Sequence, residues 1–96
     1  MLTPSAVANA KPREKAYKMA DGGGLFLLVN PNGRRWWRWK YRRPDSGKEN
    51  LLSLGVFPDV SLRQARERRD EARKLLADGV DPGVQREAQK QAGAER

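Results

Sequence analysis

The chain has 96 residues, contains neither cysteine nor histidine, and carries a formal net charge of +8 at pH 7. This composition excludes disulfides, thiolate metal ligands and the usual zinc sites, and it favours a polyanionic partner such as nucleic acid. No nucleophile has an activating base at a recognisable spacing, and no apolar stretch approaches the roughly 18 residues that span a membrane, so we predict a cytoplasmic binding domain without enzymatic activity, cofactor or membrane contact.

The first predicted element is a short N-terminal helix. Thr3 is the expected N-cap, and Pro4 is the expected first helical residue. The helix is expected to end near Lys11, because the proline that follows disfavours the helical region for the residue before it.

Three strands joined by turns predict an antiparallel meander. The strands are expected at residues 25–29, 34–43 and 48–55, separated by turns rich in glycine, proline and asparagine. The first strand follows Asp21 and three glycines, which mark a tight turn because glycine accepts positive φ. Before that turn, residues 13–20 are predicted to be extended with Tyr17 and Met19 on one face, which leaves room for a short extra N-terminal strand.

The longest predicted helix covers residues 62–78. Ser61 and Gln64 form a capping-box pattern at its start, and Gly79 is expected to cap its end, with Val80 returning to the core. Helical spacing places one apolar stripe on this helix, which consists of Leu62, Ala65, Ala72 and Leu76. Arg69 also falls inside the stripe, so we predict that it snorkels or pairs with an acid. The sequence therefore predicts an α+β fold in which a three-stranded antiparallel sheet packs on one long helix, with a short N-terminal helix.

The most unusual stretch is RRWWRWKYRR at residues 34–43, which combines four aromatic rings and six cations without an acid. Alternate side chains of a strand point to opposite faces. Burying the odd-numbered rings removes a large apolar area, whereas burying the even-numbered cations would leave charges unpaired. We therefore predict that Trp37, Trp39 and Tyr41 face the core. The other set, Arg38, Lys40 and Arg42, is predicted to form an outward row.

A two- or three-stranded sheet has about the right width to enter the major groove of double-stranded DNA. The planar fork of an outward arginine can then donate two hydrogen bonds to guanine. We predict that Arg38, Lys40 and Arg42 contact bases. Cations at the two turns are predicted to contact phosphates, and these are Arg34, Arg35, Arg43 and Lys48. In the alternative interpretation the row only solubilises an exposed sheet face. Trp36 either packs on the preceding strand under the first helix or stacks on the bases of a single strand.

Four ordered motifs carry a resemblance to a known family. They are DGGGLFLLV at residues 21–29, WRWKYR at 37–42, LSLGVFPDVSL at 52–62 and GVDP at 79–82. In this order and spacing they resemble the N-terminal domain of phage-type tyrosine recombinases, and more narrowly the integrases of prophages and genomic islands that insert at tRNA genes. Trp36 departs from the family pattern, in which a less bulky residue is expected.

The resemblance implies an arm-type DNA-binding domain at residues 1–80, followed at residues 81–96 by a linker or fraying helix that leads to an absent core-binding and catalytic region. It implies sequence-selective binding of double-stranded DNA at arm-type sites, in support of integration and excision by the full-length tyrosine recombinase. The implied partners are DNA and other integrase subunits on DNA, and we expect the isolated domain to be a monomer in the bacterial cytoplasm.

Catalysis is expected to belong to the absent region. Neither Tyr17 nor Tyr41 is expected to be its nucleophile, because Tyr41 lies on the predicted core face and neither residue has the supporting arginines and histidines. The alternative function is a protein-interaction module that contacts neighbouring integrase subunits or accessory DNA-bending proteins.

Overall fold

The protein folds as one antiparallel sheet with helices, seen in a computed structural model that describes residues 1–94, with side chains through residue 90. The elements in chain order are α1 (Pro4–Ala8), β1 (Tyr17–Gly22), β2 (Leu25–Val29), β3 (Arg35–Arg42), β4 (Glu49–Phe57), α2 (Leu62–Ala77) and α3 (Pro82–Ala94). The strand order is β1-β2-β3-β4. The α+β class is confirmed, but the described chain has four strands and three helices where the sequence predicted three strands and two helices.

The additional strand is β1, which pairs with β2 from Tyr17 opposite Val29 to Gly22 opposite Leu25. Tyr17 and Met19 pack against the core, whereas Lys18 and Ala20, which alternate with them, are exposed. The extended segment expected before the glycine turn is therefore a full edge strand. The predicted meander of β2, β3 and β4 is confirmed.

The core lies between one face of the sheet and helices α1 and α2. Trp37, Trp39 and Tyr41 are buried on this face, so the prediction from alternation is confirmed. Trp37 Nε1 donates to the carbonyl of Val60 at 2.7 Å, and Trp39 Nε1 donates to the carbonyl of Gly23 at 2.8 Å. Both buried indole N–H groups thus have the partner that burial requires.

Helix α1 begins where the sequence predicts and ends earlier. The Thr3 side chain caps it, but the last helical residue is Ala8 instead of a residue near Lys11. The Arg35 guanidinium donates to the carbonyls of Val7 and Ala8, each at 3.1 Å. The last carbonyls of a helix lack partners within the helix, and here a cation from the sheet supplies hydrogen bonds to two of them.

Helix α2 has the predicted signals at both ends. Ser61 and Gln64 form the complete capping box, and the predicted stripe is buried at Leu62, Ala65 and Ala72. At the other end, the N–H groups of Gly79 and Val80 donate back to carbonyls of the last turn, as in a Schellman motif. Val80 is 36% exposed, so the expectation that it returns to the core is wrong: the chain turns there into α3.

A buried carboxylate joins the N-terminus, β1 and α2. Asp21 accepts hydrogen bonds from Arg66 at 2.7 and 2.9 Å and from the Leu2 N–H at 2.8 Å. Arg69 lies 3.5 Å from the same carboxylate, which confirms that it pairs with an acid. The hydrogen bonds from Arg66 hold the pKa of Asp21 below its ordinary value, although burial opposes this shift.

The region after α2 is helical over much of its length. The predicted linker or fraying helix of residues 81–96 is a helix as far as Ala94, and residues 95 and 96 lie outside the described residues. Arg86 of α3 donates to the carbonyl of Ser53 on strand β4. No described helix is both long enough and apolar enough to cross a membrane.

Candidate nucleic-acid interface

The sheet face opposite the helices, called here the outer face, carries the cations that the sequence singles out. Arg38, Lys40 and Arg42 occupy alternate positions of β3 on this face, since the positions between them are buried in the core. Lys40 and Arg42 are exposed, whereas Arg38 is half-buried. The predicted outward row is therefore present, although its members differ in environment.

The row has an acid neighbour that the sequence did not reveal. Glu49 of β4 pairs with Arg42 in the strand register, and its carboxylate lies 3.2 Å from Lys40 Nζ and 3.7 Å from Arg42 Nη2. The three side chains are between 50% and 72% exposed, so water screens both ion pairs. Lys40 and Arg42 can consequently exchange Glu49 for a phosphate or a base at small cost.

Trp36 and Arg38 form a pair next to these ions. The Arg38 guanidinium carbon lies 5.5 Å from the centre of the Trp36 ring system. Trp36 is half-buried, and its strand neighbours on this face are Leu28 and Val56. The expectation that Trp36 packs on the preceding strand agrees with its place opposite Leu28. Its expected position under the first helix is wrong, because α1 packs on the opposite face through Val7.

The turn cations fall into two groups. Arg34 and Lys48 are exposed, at the turns before and after β3. Arg35 lies on the core face, where it bonds to α1 and covers the ring of Phe57 at 4.6 Å. Arg43 lies 3.8 Å from the carboxylate of Asp81. Arg34 and Lys48 are thus available to solvent, and Arg35 is tied to protein groups. The Arg43 side chain is 39% exposed, so water screens its ion pair.

Lys18 is an outer-face cation that was not predicted. Its ammonium group lies 5.0 Å from the centre of the Phe26 ring. Strand β2 separates it from β3, but Lys18 and Lys40 line the same surface depression. The signal was present in the sequence, because Tyr17 and Met19 on the core face require Lys18 on the other.

Tyr41 connects the core face of β3 to α3. Its hydroxyl donates to Asp81 Oδ1 at 2.5 Å and accepts from Asn50 Nδ2 at 2.9 Å and from the Gly83 N–H at 3.2 Å. Burial raises the pKa of Tyr41, and the hydrogen bond to Asp81 raises it further. Burial also raises the pKa of Asp81, but hydrogen bonds from Tyr41 and from the N–H groups of Gly83 and Val84 outweigh it, so this pKa lies below its ordinary value. The phenol therefore stays protonated in a structural network.

The chain is similar to known proteins over nearly its whole length. Residues 2–89 match the family described as the arm DNA-binding domain. The integrase of Enterobacteria phage P4 is 55% identical over 94 residues, which cover 98% of this chain and 21% of that protein. Prophage integrase IntZ of Escherichia coli (strain K12) is 42% identical over 91 residues, which cover 93% of this chain and 22% of that protein.

The integrase of Shigella phage Sf6 is 40% identical over 82 residues, which cover 85% of this chain and 21% of that protein. The chain spans about a fifth of the length of these curated relatives.

Proposed function

The chain belongs to the arm DNA-binding domain family, and on that premise we propose that it binds double-stranded DNA selectively at the arm-type sites of a prophage or genomic-island attachment site. In this role it supports site-specific integration and excision by a full-length integrase. The remaining part of such an integrase carries out strand exchange, whereas the domain formed by this chain holds the DNA arms.

The observation that carries this proposal is the row of cations on the outer face of β3. Three strands at about 4.8 Å spacing are about 10 Å wide, and the major groove is about 12 Å wide. Strands β2, β3 and β4 therefore fit the groove, with β3 in the middle. The side chains of Arg38, Lys40 and Arg42 then face the base edges, where arginine can contact guanine O6 and N7 together.

The cations around the row contact the DNA backbone. Arg34 and Lys48 stand at the two ends of β3, and Lys18 stands beside β2 on the outer edge of the sheet. Phosphates border the groove at these places and carry no sequence information. Arg35 contributes indirectly, because its guanidinium is bonded to α1. Arg43 reaches a phosphate only if it gives up its ion pair with Asp81.

The test compares binding to two DNA duplexes. The first is enriched from a random-sequence pool by binding to this 96-residue chain, and the second has the same base composition in a permuted order. We expect Arg38→Ala to weaken binding to the enriched duplex by about 1 to 3 kcal/mol and to affect the permuted duplex much less. Arg34→Ala is the matched control, and it should weaken binding to both duplexes alike. Equal losses on both duplexes for Arg38→Ala would refute base reading by this residue.

Salt dependence separates this function from a protein-interaction module. Three neutralised phosphates give a slope of roughly −3 for the logarithm of the binding constant against the logarithm of salt concentration, about −0.9 for each. A slope near zero would favour the interaction module instead. Sedimentation of the free chain is expected to show a monomer. On DNA, we expect other integrase subunits to bind beside it.

A further inference from the structure

Trp36 is a large ring on the DNA-facing side of the sheet that the cation row does not explain. It lies between Leu28 on β2 and Val56 on β4 in the strand register. Its Nε1 atom is buried without a hydrogen-bond partner among the described residues. Burying a polar atom without a hydrogen-bond partner costs free energy, so this half-buried ring is a costly residue for a surface strand.

The ring contacts Arg38, which differs from the other two members of the row. Lys40 and Arg42 each have Glu49 as an ion-pair partner, whereas the Arg38 side chain has no hydrogen bond or ion pair within the part of the chain that the structure describes. The Nε of Arg38 is buried without a partner. Its two terminal nitrogens are not buried in this way, so they remain accessible while the inner part of the guanidinium is covered.

We propose that Trp36 is a positioning residue that holds the Arg38 guanidinium on the outer face, so that its accessible terminal nitrogens meet a guanine edge. This inference rests on the proposed function. Stacking on a ring restricts rotation of the guanidinium, and a partly fixed side chain loses less conformational freedom on binding. Glu49 neutralises part of the charge of its two partners, and Arg38 keeps its full charge for the base.

The expected contribution is modest and measurable. Cation–π contacts at exposed sites are worth about 0.5 to 1 kcal/mol, which corresponds to about a two- to fivefold change in affinity. Only duplexes that offer the guanine should show this change. A ring that merely supported the sheet would change binding to all duplexes equally.

The contact itself is tested without DNA by following the Nε–H signal of Arg38 in nitrogen–proton NMR spectra of the chain. Because this nitrogen is buried, its proton should exchange slowly enough to be seen, and its shift should carry the ring current of Trp36. Trp36→Leu should move the signal and speed its exchange, and Trp36→Phe, which keeps a ring, should have a smaller effect. Leu51→Ala changes an exposed side chain on the same face and should leave the signal in place. An unchanged signal in Trp36→Leu would overturn the proposal.

The role in base reading is tested with the enriched duplex and with copies in which single guanines are replaced by 7-deazaguanine, which lacks the N7 acceptor. The position that Arg38 reads is the one where this replacement weakens the wild-type chain but not Arg38→Ala. We expect Trp36→Leu to weaken binding to the enriched duplex about two- to fivefold. Its affinity for the copy modified at that position should equal that of the wild-type chain within the error of the measurement. The combined variant Trp36→Leu/Arg38→Ala should then bind like Arg38→Ala alone.

In the DNA-binding experiments, two outcomes overturn the inference while leaving the proposed function intact. In one, the fold-losses of affinity caused by Trp36→Leu and by Arg38→Ala multiply in the combined variant. In the other, Trp36→Leu weakens binding to all duplexes alike. A wild-type chain that binds every duplex equally refutes the proposed selectivity itself, and it refutes base reading by Arg38 with it. The DNA-free NMR signal then still reports whether the ring holds the guanidinium.

Discussion

Replacing Asp21 by asparagine tests what holds this small domain together. The substitution keeps the shape of the side chain and removes the charge that Arg66 and Arg69 share. The amide retains a single oxygen as acceptor, so it cannot serve the two Arg66 hydrogen bonds and the Leu2 N–H in the same way. Two arginines are then left beside a buried neutral group.

The expected loss of stability depends on how exposed Asp21 and Arg66 are. Removing one partner of a fully buried ion pair costs about 3 to 5 kcal/mol. The Asp21 side chain is 0% exposed, but that of Arg66 is 29% exposed and can regain water. We therefore expect Asp21→Asn to lower the free energy of unfolding by about 2 to 3 kcal/mol. For a domain of this size this corresponds to a fall of roughly 10 to 20 °C in Tm.

Urea unfolding followed by tryptophan fluorescence measures this loss, because Trp37 and Trp39 are buried in the core. Asp70→Asn is the matched control: Asp70 lies 3.1 Å from Arg69, but its side chain is 55% exposed. An exposed pair of this kind contributes less than about 1 kcal/mol. Equal effects of the two substitutions would show that burial does not decide the strength of these ion pairs.

The pH dependence of the folding stability provides a second test of the role of the Asp21 carboxylate. The folded-state pKa of Asp21 lies below its ordinary value, mainly because of the hydrogen bonds from Arg66. Its contribution is therefore fully present above about pH 4 and is lost as the pH falls through the folded-state pKa. The wild-type chain should lose stability faster than Asp21→Asn in this acid range, so that the two curves converge. Parallel curves, or a loss at neutral pH below about 0.5 kcal/mol, would refute the reasoning.

Three further predictions concern other contacts. Tyr41→Phe removes the hydrogen bond to the nearly buried Asp81, and we expect a loss of about 1.5 to 3 kcal/mol with faster amide exchange at the start of α3. Gly24→Ala places a methyl group against the β3 backbone at positive φ, whereas Gly33→Ala, also at positive φ, meets no neighbour. Urea unfolding should show about 1 kcal/mol for the latter and about 2 kcal/mol more for the former. Glu49→Gln frees two cations of the row, and fluorescence anisotropy should show about two- to fivefold tighter DNA binding; weaker binding would mean that Glu49 itself helps to hold DNA.

The parts of the fold that depend on local rules could be predicted from the sequence. The caps of Thr3 and Ser61 depend on residues within three positions of them, and alternation in β3 depends only on the pleat of a strand. The same alternation also contained information that the prediction did not use. Arg35 and Arg43 belong to the odd-numbered set of RRWWRWKYRR, so the pattern itself places them with the core residues and not with the outward row.

The remaining contacts depend on where distant segments meet. Asp21 and Arg66 are 45 positions apart, and no local pattern distinguishes this buried acid from a turn residue. Glu49 lies opposite Arg42 because of the register of the β3–β4 hairpin, which is set by a turn whose geometry the composition leaves open. The candidate site was therefore predictable as a row of cations, and its acid neighbour was not.

The Tyr41 hydroxyl has a consequence for the geometry of a longer protein, since α3 begins at the residue next to its partner Asp81. The helix has 13 residues, which at about 1.5 Å per residue make a rod about 20 Å long. A tilt of about 10° at its base moves the far end by about 3 Å over that length. The Tyr41 hydroxyl, on the face of β3 opposite the cation row, therefore helps to fix the direction of this helix relative to the sheet.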